Sequence, residues 1–192
     1  MVRYADDMVF IFERHSEAER FYRVLPKRLN KYGLMLNEDK SSIIPSGSAV
    51  ARRARQDGQR MPTYQFLGFT CYWGQSRNGR WRLKYTSRRD RFSKKLKGLR
   101  DYLWKNLNTH DLAGVIQRVK RVMQGWINYH GISDNYRRVG AFIHLCKRIL
   151  FRWFNRRGRK APLSWKRFNQ ILNRIGLPTT WKTISMFPIR AT

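Results

Sequence analysis

Met1-Val2-Arg3-Tyr4-Ala5-Asp6-Asp7-Met8-Val9-Phe10-Ile11-Phe12 opens the chain. Two short apolar runs flank a pair of adjacent carboxylates. The pattern predicts strand, tight turn and strand, with Asp6 and Asp7 at or near the tip, because short Asp side chains bond to nearby backbone and tolerate turn geometry. Two acids side by side repel each other and call for a cation. A hard divalent ion such as Mg²⁺ takes oxygen ligands and keeps waters for phosphates. Pairs of such ions stabilise the attacking and leaving oxygens of a phosphoryl transfer. An exposed Asp-Asp turn without an ion is the plain alternative.

Downstream, Ser16 and Glu19 have the spacing of a capping box. A helix is expected to follow, with Phe21, Leu25, Leu29 and Tyr32 on one stripe, a kink at Pro26 and a stop at Gly33. Leu34-Met35-Leu36 and Ser41-Ser42-Ile43-Ile44 read as two short strands around the Asn37-Glu38-Asp39-Lys40 turn. Residues 45–62, rich in Ser, Gly, Arg and Gln, read as a loop. Residues 64–73 form an aromatic strand interrupted by Gly68, and Asn78-Gly79 signals a hairpin. Trp81, Leu83 and Tyr85 alternate with Arg82 and Lys84, as in a half-buried strand.

The pattern turns helical at Ser87, which pairs with Asp90 in a second capping-box spacing. Phe92, Leu96, Leu99 and Leu103 line one face of a first helix. A second starts near Thr109 or Asp111, carries Val115, Val119, Met123 and Trp126, and ends at Gly131. A third runs from about Asp134, with Val139, Phe142, Ile143, Cys146, Leu150 and Trp153 inward. A short last helix follows Ser164, with Phe168, Ile171, Leu172 and Ile175 apolar. The expected architecture is α+β, with residues 1–86 an α+β piece and residues 87–192 a basic helical piece.

The 192 residues include 41 Lys and Arg against 12 Asp and Glu, a formal net charge of +29. Such an excess repels itself unless an anionic partner neutralises it, and nucleic acid is the first candidate. An anionic membrane surface is the second. No run approaches the ~18 apolar residues of a spanning helix, and the reading expects no signal peptide and no membrane partner. Cys71 and Cys146 have no metal-ligand spacing, and a reduced cytoplasmic compartment is the simplest expectation.

Four segments carry a resemblance. Arg3-Tyr4-Ala5-Asp6-Asp7 resembles the catalytic hairpin of reverse transcriptases. The stretch from Gly33 to Ser41, Gly-Leu-Met-Leu-Asn-Glu-Asp-Lys-Ser, is similar to the next family motif. Phe66-Leu67-Gly68-Phe69 resembles the primer-gripping turn. Gly125-Trp126-Ile127-Asn128-Tyr129-His130-Gly131 resembles the hallmark of the maturase domain, also called domain X or thumb. Their order and spacing point to the group II intron reverse transcriptase/maturases, and the likeness covers nearly the whole chain. It implies a partial palm of antiparallel hairpins plus helix over residues 1–86, followed by an all-α thumb over residues 87–192.

Residue by residue, the resemblance implies that Asp6 and Asp7 bind metal and act catalytically, with Mg²⁺ in a completed site. Lys40 would stabilise developing phosphate charge, a solvated turn lysine being the alternative. Tyr4 and Phe66, Leu67, Gly68 and Phe69 would contact the nucleotide and primer. Arg88, Arg89, Arg91, Lys94, Lys95, Lys97 and Arg100 would face a nucleic-acid duplex, and Arg156, Arg157, Arg159 and Lys160 would add to the RNA surface. Trp126 continues an apolar stripe and is expected in the core. Tyr129 and His130 sit at a helix end, where RNA contact and a structural role both remain open.

The family polymerase also needs a third metal-binding Asp and a fingers region, and the resemblance assigns neither to these 192 residues. The expectation is therefore a chain that binds structured intron RNA and assists splicing, and is inactive alone as an RNA-directed DNA polymerase. A separate fingers/palm chain would complete it on an RNA/DNA duplex. A non-catalytic RNA-binding module in a ribonucleoprotein is the alternative, and an unrelated basic protein of such a particle is a third reading.

Overall fold

The computed structural model describes residues 1–158 and 161–186. The chain divides into two compact units, Met1–Lys84 and Tyr85–Thr192.

In the first unit, β1 (Val2–Tyr4) and β2 (Asp7–Val9) pair antiparallel, with Tyr4 opposite Asp7 across an Ala5–Asp6 turn. Ala5 takes φ 48°, a left-handed conformation uncommon outside glycine. The helix α1 (His15–Asn30) starts one residue before Ser16. The expected Ser16–Glu19 capping box therefore does not form, and Glu19 faces His15 one turn back at 3.7 Å. α1 runs through Pro26 and ends in a reversal in which Leu34 N–H donates to Leu29 O at 3.1 Å and Gly33 takes φ 69°. Phe21 meets Phe10 and Phe12, with ring centroids 4.5 and 5.2 Å apart, but no residue of α1 is buried.

Two further expectations fail between residues 34 and 62. The segments around Lys40 are not strands: Glu38–Lys40 is a single 3-10 turn. Ser41 Oγ donates to Asn37 O at 2.8 Å and Tyr22 Oη donates to Ser41 O at 3.2 Å. Such local side-chain bonds offer the backbone an alternative to a ladder. The presumed 45–62 loop contains a helix, α2 (Ser48–Gln56), which buries Ala51 and Ala54. Trp73 Nε1 donates to Ser46 Oγ at 2.9 Å beside it, and Arg55 reaches Gln75. Two buried alanines leave no apolar period that a sequence reading could detect.

A three-stranded sheet follows in the order β3 (Thr63–Phe66), β4 (Phe69–Gln75), β5 (Trp81–Ser87), and β5 spans the division between the units.

The second unit holds α3 (Arg89–Lys105), α4 (Leu112–His130), α5 (Tyr136–Arg157) and α6 (Trp165–Arg174). Their inward stripes are those the 3.6-residue period predicts, and they form one core with Phe142, Val139, Val119, Met123, Cys146, Leu150 and Phe168 at 0% exposure. At its centre Trp126 stacks on Phe142, centroids 4.3 Å apart and planes 15° off parallel. Asp111 caps α4 by accepting from Gly114 N–H at 2.8 Å, and Ser164 caps α6 through Arg167 N–H. α4 stops at Gly131, where an added Cβ would lie 2.5 Å from Ile127 O. The chain beyond α6 returns to this point: Ile184 N–H donates to Gly131 O at 2.8 Å and Ser133 N–H to Ile184 O at 3.1 Å. Among the described residues no helix is long and apolar enough to cross a membrane.

Candidate functional site

Asp6 and Asp7 lie at the turn of the first hairpin and are both exposed. Among the described residues, no hydrogen bond or ion pair joins either of them to Lys40 or to the Phe66–Phe69 segment. No group of three acids, histidines or cysteines suited to a metal ion occurs there either. Two carboxylates at a turn supply only part of the oxygen shell that Mg²⁺ needs. The residues present therefore do not complete a two-metal site.

Lys40 closes the 3-10 turn and is exposed. Phe66-Leu67-Gly68-Phe69 is a hairpin and not an interrupted strand. Phe66 pairs with Phe69, and the two turn residues take φ 46° and 76°. Positive φ at both positions is what a tight turn between right-twisted strands requires. Glycine adopts it freely, whereas Leu67 is held there against its Cβ. Tyr4 is 66% exposed on β1.

The helical unit presents its cations in three different ways. Arg89, Arg91, Lys94, Lys95, Lys97 and Arg100 are exposed around the solvent arc of α3, opposite its buried stripe. Arg88 is engaged within the chain: Nε and Nη2 hold the Asp90 carboxylate at 3.0 and 2.8 Å. That guanidinium keeps the Asp90 carboxyl below its ordinary range. Arg88 is also the residue preceding α3, so the expected Ser87–Asp90 capping box is replaced by this pair.

Arg157 corrects a second expectation. Its guanidinium donates to Leu107 O, to Asn106 O at 3.4 Å and to Thr109 O at 2.8 Å. It also lies 5.0 Å from the Trp153 ring centre. The carbonyls after a helix end have no helical partners, and Arg157 fastens those that follow α3. It is a half-buried structural clamp, its guanidinium already engaged by these carbonyls. Arg156 is exposed and lies 5.1 Å from the ring centre of Trp104. Arg159 and Lys160 lie outside the described residues.

His130 corrects a third. It is 5% exposed, and its Nδ1 is 3.2 Å from Ser87 Oγ. Asn135, 1% exposed, donates from Nδ2 to Ser87 Oγ at 2.7 Å and to His130 O at 2.9 Å. Asn135 Oδ1 accepts from Ser87 N–H at 2.9 Å. Ser87 Oγ, which has one hydrogen and two lone pairs, accepts from Asn135 and shares one further hydrogen bond with His130 Nδ1, its direction set by the imidazole tautomer. The motif histidine thus ties the end of α4 to the end of β5 and is unavailable to RNA. Trp126 is in the core as expected, while Tyr129, at 55% exposure, remains at the surface.

Burial lowers the pKa of His130 from 6.5 to about 4. Between these values the unfolded chain takes up a proton that the folded chain refuses, so folding stability is full above pH 6.5 and falls as pH drops towards 4. We expect a loss of about 2 kcal/mol over that window, after allowing for partial solvent screening. Urea midpoints between pH 7 and pH 4.5 would show it, and a His130→Gln variant should respond less to pH. Equal pH slopes in both proteins would remove His130 as the cause.

The buried thiols offer no chemistry: Cys71 and Cys146 are free, and burial pushes Cys146 up to about 12. Arg137, Arg148, Arg152 and Trp104 escaped the sequence reading, which names only Arg156 and Arg157 among the cations of α5. α5 contains Arg137, Arg138, Lys147, Arg148, Arg152, Arg156 and Arg157 with no acid. Of these, Arg137, Arg148, Arg152 and Arg156 are exposed. Trp104, in the last turn of α3, is 62% exposed. Their regular spacing was the signal available in the sequence.

Comparison with protein families places these features. Residues 1–71 match the model for reverse transcriptase (RNA-dependent DNA polymerase), and residues 89–172 match that for the group II intron maturase-specific domain. No match was found among curated proteins or solved structures.

Proposed function

The chain belongs to the group II intron reverse transcriptase/maturases, and we propose that it binds structured intron RNA through its helical unit and thereby assists splicing. The observation that carries this reading is the α3 surface. Seven lysines and arginines, Arg89, Arg91, Lys94, Lys95, Lys97, Arg100 and Lys105, are exposed there, and the one acid in the first turn is held by Arg88. Free cations on a rigid helix suit a phosphate backbone.

DNA synthesis is a further step that the chain supports only with help. Asp6 and Asp7 would supply two carboxylates to a Mg²⁺ site, and a third acid together with a template-holding surface would come from another chain or segment. Tyr4 and the Phe66–Phe69 hairpin would then lie along the nucleotide and primer of an RNA/DNA duplex, and Lys40 near the reacting phosphates. Positioning supplies most of the rate in phosphoryl transfer, so half a site gives little.

A group II intron transcript tests both halves of the proposal. The purified chain should retain the transcript on a filter and speed its splicing at limiting Mg²⁺. Given an annealed primer and deoxynucleotides, it should make no DNA. Failure to retain the transcript would overturn the RNA-binding reading. Primer extension that Asp6→Asn abolishes would show that the two carboxylates suffice.

A further inference from the structure

The α3 surface leaves one charged face of the helical unit unused. Arg137, Arg148, Arg152 and Arg156 are exposed on α5. At 3.6 residues per turn they fall within roughly 100° of arc, on a track about 28 Å long. Arg137, Arg148 and Arg152 have no hydrogen-bond or ion-pair partner among the described residues. Arg148, Arg152 and Arg156 follow one another at i, i+4 and i+8, and like charges at that spacing destabilise a free helix. A polyanion laid along the track would reverse that effect. At the end of the track Arg156 lies over Trp104, 5.1 Å from its ring centre, and the indole is 62% exposed.

Resting on the RNA-binding reading above, we infer that α5 is a second RNA track. The phosphate backbone lies along Arg137, Arg148 and Arg152, and an unpaired base at its end stacks on Trp104 beside Arg156. Arginine suits this role, since its planar fork matches two phosphate oxygens and its face stacks on rings. The guanidinium lies over the indole, and with 62% of Trp104 exposed the side chain leaves ring surface for a base. An anionic membrane fits less well. Between the arginines the exposed positions are Ala141 and His144, which offer no large apolar side chain to insert into a bilayer.

The test uses two RNA probes, a blunt hairpin and the same hairpin with a single-stranded uridine tail. Replacing Arg137, Arg148 and Arg152 together with Ala should weaken both probes by about tenfold or more and flatten the slope of log K against log salt by about two to three. Trp104→Ala should weaken the tailed probe by about tenfold and leave the blunt one unchanged, while Trp104→Phe keeps most of the difference. All four positions are exposed, so folding should survive. Single Arg148→Gln and Arg152→Gln variants carry the same test if the triple variant is less stable. The α5 track is overturned if the arginine variants bind as the parent does while Ala at Arg89, Lys94, Lys95 and Lys97 weakens binding. If neither set changes binding, the RNA-binding reading falls with it. An equal effect of Trp104→Ala on both probes, or none on either, removes the stacked base.

Discussion

Raising salt from 50 to 200 mM should weaken RNA binding by about a thousandfold, the drop expected for about six phosphate contacts. Between Arg89 and Arg100 alone α3 exposes six cations, and the chain's net charge of +29 leaves few acids to compete with phosphate for them. Each neutralised phosphate releases condensed counterions, so log K should fall with log salt at a slope near −5. Replacing Arg89, Lys94, Lys95 and Lys97 with Ala should reduce that slope by about three to four and weaken all RNA sequences to a similar degree, because phosphates carry no sequence information. Arg88 and Arg157 make informative controls. One is held by Asp90 and the other by the carbonyls after α3. Replacing either should change stability more than the salt slope. A flat response of log K to log salt would show that phosphate contacts do not drive binding.

Phe142→Ala should destabilise the helical unit by about 4 kcal/mol, a large part of the stability of an ordinary domain. Phe142 is fully buried, stacks on Trp126 at 4.3 Å and meets Phe92 edge-on at 5.7 Å. Its removal opens a cavity between α3, α4 and α5, which packed helices cannot close. Phe21→Ala should cost far less, because α1 has no buried residue and Phe21 touches only Phe10 and Phe12 among aromatic rings of the described residues. The chain has two units, so the urea transition should be followed by hydrogen exchange at named amides and not by one global signal. Amides of α4 from Val115 to Trp126 should be the slowest. Those of β1 and β2 should be fast, since a two-stranded ladder is marginal alone. Slower exchange in β1 and β2 than in α4, in a demonstrated monomer, would reverse this ranking.

The helical half was legible because each helix repeats its apolar residues at the helical period. Phe92-Leu96-Leu99-Leu103 on α3 and Val115-Val119-Met123-Trp126 on α4 name the inward face without any knowledge of the partner. Caps were less legible: the Ser16–Glu19 and Ser87–Asp90 boxes do not form, whereas Ser164 and Asp111, one of two starts expected for α4, do cap their helices. In the first unit the signals were weaker. α2 buries only two alanines, and the segment around Lys40 folds on local hydrogen bonds where strands were expected.

By itself, then, the sequence determined whatever depends on near neighbours along the chain: the α+β class, the first hairpin with its paired acids, the helical stripes and the excess of positive charge. Tertiary structure alone decided the fate of particular polar side chains. His130 is buried because Ser87, 43 positions earlier, and Asn135 meet it there. Arg157 is half-buried and bound because carbonyls some 50 positions earlier lie within its reach. Trp104 stays in water, with Arg156 of another helix laid over its ring. A polar group takes its role from whichever donor or acceptor the fold brings within about 3 Å, and that partner leaves no periodic mark in the sequence.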